Sequence, residues 1–394
     1  MRICHFLSSM AWHYGGPPHS VIGQAGALGR LGHDVTIMAT SKERHRLDWP
    51  EDVADIHLYP ETWPALWRRG AGFVDDAKRV VEKSDIIHLN ELWSHTVFTG
   101  SRLARKRRKP YLINFRANLN PVQMFRNPLR KKIYLALAGN RIINNAACVH
   151  ALTRCELEFI RELGYKTPVT VIPNGIHREK FEILPEPNEA EEYWPVLRGR
   201  KVVLYLGRLH LEKGLDILLK AWRELIQVES STEPLLVIAG PDDREHGAQI
   251  RALAQKLGLE SKVCFTGTVE ERGKMALYSR ADIFILPSYS EGFSNSIIES
   301  MASAKPVIIT TGCNFPEVAD AGVGLCVKPE PGELKDAVRD MLAMPGDELK
   351  AMGTRARSFV FEKYTWEIVA RKLVTVFNCI LEGREIPEEP EPYY

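Results

Sequence analysis

Ser288–Pro306 reads SYSEGFSNSIIESMASAKP, directly after the apolar run Asp282-Ile283-Phe284-Ile285-Leu286-Pro287. A short continuous apolar run bounded by turn residues has the pattern of a strand buried on both faces, and the residues after the turn have helical spacing. Strand, tight turn and helix therefore meet here. Glu291 and Glu299 flank the turn, separated by Gly292, Phe293, Ser294, Asn295 and Ser296. Their amides open a helix start of the kind that holds an anion. A second reading is open, because Ser296-Ile297-Ile298-Glu299 also fits the S-x-x-E capping box. That reading accounts for Glu299 and leaves Glu291 and Gly292 unexplained.

Outward from this stretch the pattern repeats. Apolar runs at Lys201 to Leu206, Leu235 to Ala239, Val263 to Phe265, Ile283 to Leu286 and Val307 to Thr310 alternate with helical spacing. Such alternation predicts a doubly wound parallel sheet whose strand ends line one crevice. The first run leads into Gly207-Arg208-Leu209-His210-Leu211-Glu212-Lys213-Gly214 and a helix predicted over Leu215 to Ile226. A phosphate at that helix entrance meets the fork of Arg208, the point charge of Lys213 and the positive end of the helix dipole, an arrangement suited to a diphosphate. Surface salt bridging of the two cations is the alternative.

The first half shows the same alternation, with strands expected at Arg2 to Ser8, Asp34 to Ala39, Ile56 to Tyr59, Ile86 to Asn90, Tyr111 to Phe115 and Val169 to Ile172. A helix is predicted over Val21 to Leu31. Before it, His13-Tyr14-Gly15-Gly16-Pro17-Pro18 reads as a glycine turn at the carboxyl end of a strand, without the G-x-G-x-x-G of an ordinary dinucleotide site. The chain of 394 residues suits two domains. The expected division is 1–172, a connector 173–200, 201–364, a last helix 365–386 and a tail 387–394 free of fixed structure.

Charge divides unevenly. Residues 1–172 hold 25 Lys+Arg against 15 Asp+Glu, and the remainder 27 against 35. Two basic clusters, Arg102 to Lys109 and Arg126 to Lys132, accompany Trp63, Trp67, Met124, Phe125, Leu129 and Tyr134, and together they suit contact with an anionic membrane surface. No helix-turn-helix, RNP or zinc-finger pattern supports a nucleic-acid partner. The seven cysteines are scattered with no C-x-x-C pair, so buried free thiols are expected. No apolar run is long enough to span a bilayer, and the start of the chain runs into strand-like sequence instead of a leader, so the expected place is the cytoplasm, with peripheral contact to the inner face of the membrane.

Taken together, Tyr14-Gly15-Gly16-Pro17, Val171-Ile172-Pro173-Asn174-Gly175, Gly207-Arg208 to Lys213-Gly214, Phe265-Thr266-Gly267, Glu291-x7-Glu299, Lys305-Pro306-Val307-Ile308 and Pro316-Glu317-Val318 resemble the family 4 glycosyltransferases. The resemblance spans nearly the whole chain. It implies the GT-B fold, two facing Rossmann-like α/β domains, with the last helix returning to the first. It further implies a nucleotide-sugar donor held by the second domain. Arg208 and Lys213 would lie on the diphosphate, Glu299 on the ribose, Val269 near the base, and Glu291 with the amides of Phe293 and Ser294 on the sugar. Gly16 would complete the phosphate site. Glu291, Arg208 and Lys213 are the catalytic candidates, in a transfer of a hexose to a saccharide or lipid-linked acceptor with retention of configuration.

No D-x-D occurs, which leads us to expect no metal and no cofactor beyond the co-substrate. The chain departs from the family in two places. His88-Leu89-Asn90 stands for the frequent His-x-His, and Phe115-Arg116-Ala117 for Pro-His-Gly, which makes His88 and Arg116 the acceptor- or sugar-facing candidates and leaves Arg116 suited to an acidic sugar or an acceptor phosphate. Ala304 replaces a frequent glycine, an exchange read as one of packing. A sugar-nucleotide epimerase of the same architecture and a catalytically silent binding subunit are the alternatives.

Overall fold

In the computed structural model, which describes residues 1–10, 16–41, 54–62, 69–116, 118–119, 124, 127–228, 233–243 and 246–393, the chain forms two units. One comprises Met1–Gly175 with Thr365–Tyr394, the other Ile176–Tyr364.

Among the described residues the first unit holds eight strands: β1 (Arg2–Ser9), β2 (Asp34–Ser41), β3 (Asp55–Thr62), β4 (Arg69–Gly70), β5 (Ile86–Asn90), β6 (Tyr111–Asn114), β7 (Cys148–Ala151) and β8 (Val169–Val171). Their order is β4-β3-β2-β1-β5-β6-β7-β8. All pairs are parallel except β3 with β4. Alternation along β1 sends Ile3 and Leu7 to one face and Cys4 and Phe6 to the other. The Ile3 face is covered by helix α1 (Gly16–Arg30) and the opposite face by α2 (His95–Lys106) among others.

The second unit holds β9 (Val202–Leu206), β10 (Leu235–Ala239), β11 (Val263–Gly267), β12 (Ile283–Leu286), β13 (Val307–Thr310) and β14 (Gly324–Val327), all parallel, in the order β11-β10-β9-β12-β13-β14. This is the doubly wound arrangement expected, with helices such as α3 (Leu215–Val228) and α4 (Asn295–Ala302) between strands. Its strands are almost wholly apolar because both faces are covered, leaving no polar side to alternate with.

Several expectations are corrected. The short strands β4, β7 and β14 escaped the apolar pattern. Gly16, Pro17 and Pro18 are the first turn of α1, and no part of a turn; proline's fixed φ and missing N–H are both tolerated there. His13, Tyr14, Gly15, Trp63, Trp67, Ala117, Phe125 and Arg126 lie outside the described residues. Residues 173–200, read as a connector, carry the helices Glu179–Glu182 and Pro187–Tyr193. From Ile176 they belong to the second unit, because Phe181, Ala190 and Leu197 are buried in its core. All seven cysteines are free, and Cys4, Cys148, Cys313 and Cys379 are buried.

The last helix, α5 (Trp366–Glu382), packs on α1 within the first unit. A Cβ on Gly23 would lie 2.2 Å from the Trp366 ring, and one on Gly175 2.8 Å from the Trp366 nitrogen, so both glycines make room for this residue. The described residues after α5, 384–393, are bonded to the first unit, contrary to the free tail expected. Val171 donates its N–H to Glu388 O (2.6 Å), Arg154 pairs with Glu389 (2.5 Å) and Thr375 Oγ1 donates to Glu391 O (2.7 Å). Edge strand β8 thus has a backbone partner on its open side. Among the described residues no helix is long and apolar enough to cross a membrane.

Candidate active site

In the second unit the chain winds outward from β9 through β10 to β11, then returns to the other side of β9 as β12. The reversal between β9 and β12 is a topological switch point, where open α/β sheets leave a crevice at the carboxyl ends of the strands. The β9 end carries Arg208 to Lys213, and the β12 end carries Ser288 to Glu291. Both predicted segments therefore come together at one place.

They are joined closely. After β9 the chain makes a single 3-10 turn, Leu211–Lys213, before Gly214 and α3. Gly214 takes φ 66, and a Cβ there would stand 2.0 Å from Pro287 O, so only glycine lets this turn press on the end of β12. Tyr289 N donates to Glu212 O (2.8 Å), fixing the register of the two loops. Lys213 Nζ then meets Glu291 Oε1 at 2.6 Å, with only 17% and 10% of the two side chains exposed. Ser288 Oγ donates to the same carboxylate oxygen (2.5 Å). The Glu291 backbone is held from the β13 side by its N–H to Gly312 O (2.8 Å) and by Asn314 Nδ2 to its carbonyl (2.7 Å). This carboxylate is preorganised from three directions.

Arg208 is more open, its side chain 48% exposed and paired to Asp243 at 2.9 Å. Its carbonyl accepts from the buried Tyr205 hydroxyl (2.8 Å), a phenol that burial, with the negative charge of Glu291, keeps protonated well above its usual range. Two cations thus stand at the end of β9, each resting on a carboxylate.

Glu299 lies on α4, whose N-cap is Ser294, without a side-chain cap. Ser296 is inside the helix, its hydroxyl 3.0 Å from that of Ser294. The S-x-x-E capping box is therefore absent, because the helix starts too early for Ser296 to cap it. Glu299 instead accepts from Tyr278 Oη (3.0 Å) and Lys274 Nζ (3.5 Å), on the helix Glu271–Arg280 that follows Val269. Burial draws the Lys274 ammonium down in pKa, yet Glu299 and Glu271 more than offset this and the net direction is upward. Val269 is half-buried against the core, and the Phe293 ring packs on Phe315 and Tyr364 with centroids 5.6 and 6.1 Å away.

The first unit has its own switch point, between β1 and β5. Here the polar residues run into the sheet. His5 and His88 are register partners on adjacent strands and His150 follows on β7, all fully buried. Centroids are 5.0 Å apart for His5 and His88 and 5.2 Å for His88 and His150, and His150 Nε2 bonds Ile172 O at 2.7 Å. Burial, with the charge of Arg116 adding to it, holds His5 and His150 neutral down to about 3. His88, expected to face a sugar, is enclosed by His5, His150 and Phe377 and presents no surface. Arg116 is partly exposed after β6. Gly16 opens α1, exposed at its first turn.

Ser288, Asp243, Lys274, Tyr278, His5, His150 and Asn114 were not picked out from the sequence. Ser288 and Asp243 sit in or beside turns already marked there. The others carry no local signal, since their partners lie on elements far away in sequence. Ala304 takes φ 56, so its exchange for glycine bears on the backbone, and the packing reading is corrected. Among the described residues no group of three or more His, Cys, Asp or Glu is arranged to hold a metal ion.

Comparison with known proteins adds two family matches. Residues 15–175 match the glycosyl transferase 4-like domain, and residues 189–359 match glycosyl transferases group 1. An uncharacterized glycosyltransferase of Methanocaldococcus jannaschii is 24% identical over 95% of this chain and 98% of its own length. The mannosylfructose-phosphate synthase of Agrobacterium fabrum is 32% identical over 53% of this chain, which spans about half, 49%, of that relative. Among solved structures, HepE of Anabaena in complex with UDP and glucose superposes with a TM-score of 0.76 at 17% identity, covering 95% of this chain and 98% of that one.

Proposed function

With a glycosyl transferase 4-like domain followed by a glycosyl transferases group 1 domain, the chain is a glycosyltransferase of GT-B type, and from that premise we propose that it moves a hexose from a nucleoside-diphosphate sugar to a saccharide or lipid-linked acceptor with retention of configuration. The observation that carries this reading is the switch point of the second unit, where Arg208, Lys213 and Glu291 share one set of strand ends.

Loss of the nucleoside diphosphate is the costly event, and stabilising its developing charge is the main task of the site. Arg208 offers a planar fork and Lys213 a compact charge, both on a short turn that needs no rearrangement of the sheet. When a phosphate draws Lys213 away, Glu291 keeps Ser288 as a partner and is free to accept hydroxyls of the donor sugar; it acts by orientation, not as a covalent nucleophile. Glu299, steadied by Lys274 and Tyr278, accepts the ribose hydroxyls, with the base beside Val269 and the amides of Phe293 and Ser294 on the sugar. Gly16 contributes its one N–H at the start of α1, since Pro17 and Pro18 carry none. The acceptor is held by the first unit. Leaving-group stabilisation by side chains makes the reaction independent of added metal, so rates in excess EDTA should match those without it.

Thermal-shift screening with UDP-, GDP- and ADP-sugars tests the donor site, because a ligand bound only by the folded chain raises its melting temperature. A shift with one nucleotide class supports the reading, and none with any of them overturns it. Anomeric retention is read from the product by NMR.

Contact with an anionic membrane is part of the same proposal. Leu129, Ile133 and Leu137 stand four residues apart along the helical stretch 128–144 and are 72%, 51% and 80% exposed. Arg130, Lys132 and Arg141 are exposed on the same stretch. Apolar and basic side chains so arranged suit the lipid interface. Flotation with anionic vesicles at low and high salt checks this, with loss of binding expected for I133D and absence of binding at both salts counting against it.

A further inference from the structure

Two adjacent strands of the first unit, β5 and β6, are followed within two residues by left-handed backbone, Glu91 at φ 73 and Arg116 at φ 48. Non-glycine residues adopt this conformation at a cost, and persist in it where surrounding bonds over-determine them. Here the bonds are visible. Glu91 N donates to Asn114 O (2.8 Å) and Arg116 N to Asn114 Oδ1 (2.9 Å). The guanidinium then turns back over the sheet, and its Nε and Nη2 both donate to Asn90 Oδ1, at 3.2 and 2.8 Å. Asn90 is itself oriented by Nδ2 to His88 O (3.3 Å), and Asn114 by Nδ2 to His150 Nδ1 (3.2 Å).

Every hydrogen-bond partner of this cation is neutral. Among the described residues no carboxylate lies within ion-pair distance of it, and Nη1 makes no hydrogen bond. Glu91 and Glu156 act on it only through space, and Glu156 already accepts the N–H of Leu152 (2.7 Å). Burial outweighs their help and draws the guanidinium down to about 10. A half-buried cation fixed by amides, with one nitrogen left over at the carboxyl end of a parallel sheet, has no opposite charge bonded to it. Arginine's fork is matched geometrically by carboxylate and phosphate, while a sugar hydroxyl leaves the charge uncompensated.

We propose that Arg116 receives an oxyanion, a carboxylate or a phosphate, carried by one of the two co-substrates of the transfer. The inference rests on the glycosyltransferase reading above and narrows the substrate class within it. The group is either a carboxylate on the donor sugar or an anionic substituent on the acceptor, and in both cases Nη1 and Nη2 take its oxygens while Asn90 keeps the fork in place.

Calorimetry on the full chain separates the two sources. One arm compares UDP-glucuronate with UDP-glucose; the other compares mannose 6-phosphate with mannose, with and without UDP. In one arm the anionic probe should bind on the order of tenfold or more tightly than its neutral counterpart, as a charged hydrogen bond implies. R116Q should abolish that preference and R116K retain part of it, while UDP binds both variants as it binds the wild type. Equal binding of anionic and neutral probes in both arms overturns the proposal whatever the variants do, as does a preference that survives R116Q. Should R116Q not fold, N90A, which unseats the guanidinium, takes its place and must weaken the preference. Failure of UDP to bind wild-type protein would instead strike the donor site of the second unit, a separate result.

Discussion

At the centre of the first unit, β1, β5 and β7 bury His5, His88 and His150, with Asn90 and Asn114 beside them. At the centre of the second, β9, β10 and β12 bury Val203, Val237 and Phe284 and their apolar neighbours, and the charges begin only where the strands stop. The strand order around the two switch points is alike, so topology does not set this difference. What it separates is where polarity can change partners. In the second unit, ion pairs at the rim can open to a ligand without disturbing a dry core. In the first, polar groups are bonded into the sheet itself, and both nitrogens of His5 and both amide atoms of Gln24 are buried without a partner among the described residues. Stability and recognition are coupled there.

The largest effect expected of this contrast is on turnover. K213A should lower kcat/KM by roughly 10²- to 10³-fold, the usual loss when one preorganised group facing developing charge is removed, with the denaturation midpoint of the first unit unmoved. An equal loss of folding would mean that the ion pair with Glu291 is structural.

Acid provides the next. The neutral rings of His5 and His150 hold folded values of about 3 against an unfolded value of about 6.5. The unfolded chain therefore binds protons that the folded one refuses. Stability that is complete above the unfolded value drains away as pH falls towards the folded one, by about 2 kcal/mol for each ring at pH 5. Hydrogen exchange compared at pH 7 and 5, corrected for intrinsic rates, should show protection lost in β1, β5 and β7 before β9 and β12. Parallel loss in both units would break the comparison.

Smaller effects sharpen the reading of α4. E299A should weaken nucleotide binding by roughly 1.5–3 kcal/mol, the range for hydrogen bonds to a charged group, seen by calorimetry. S296A should change stability by less than ~0.5 kcal/mol, as for an ordinary surface exchange, whereas loss of a true cap costs ~0.5–2 kcal/mol. A urea titration distinguishes them.

The second unit was the more legible one in the sequence, and the contrast explains why. Its strands are continuous apolar runs, so Leu235–Ala239, Ile283–Leu286 and Val307–Thr310 are found at the limits expected. Its candidate residues stand in the turns between runs, where charge has no other local reason to be. In the first unit Cys148–Ala151 was missed because His150 interrupts a four-residue strand. The imidazole row was invisible for the same reason. Each histidine occupies one inward position on its own strand, and only pairing of strands far apart in sequence assembles them. Arg116 was singled out by its departure from a motif, but its neutral partners Asn90 and Asn114 become partners only through strand register.

Trp366 and the helix it opens close the first unit with residues made after the whole of the second. On the ribosome the second unit, one continuous segment, is complete while α1 still waits for its cover and β8 for its edge partner. Vectorial synthesis thus inverts the usual N-terminal-first order of domain completion, and a nascent chain halted after Tyr364 would expose the apolar face of α1 to chaperones and proteases.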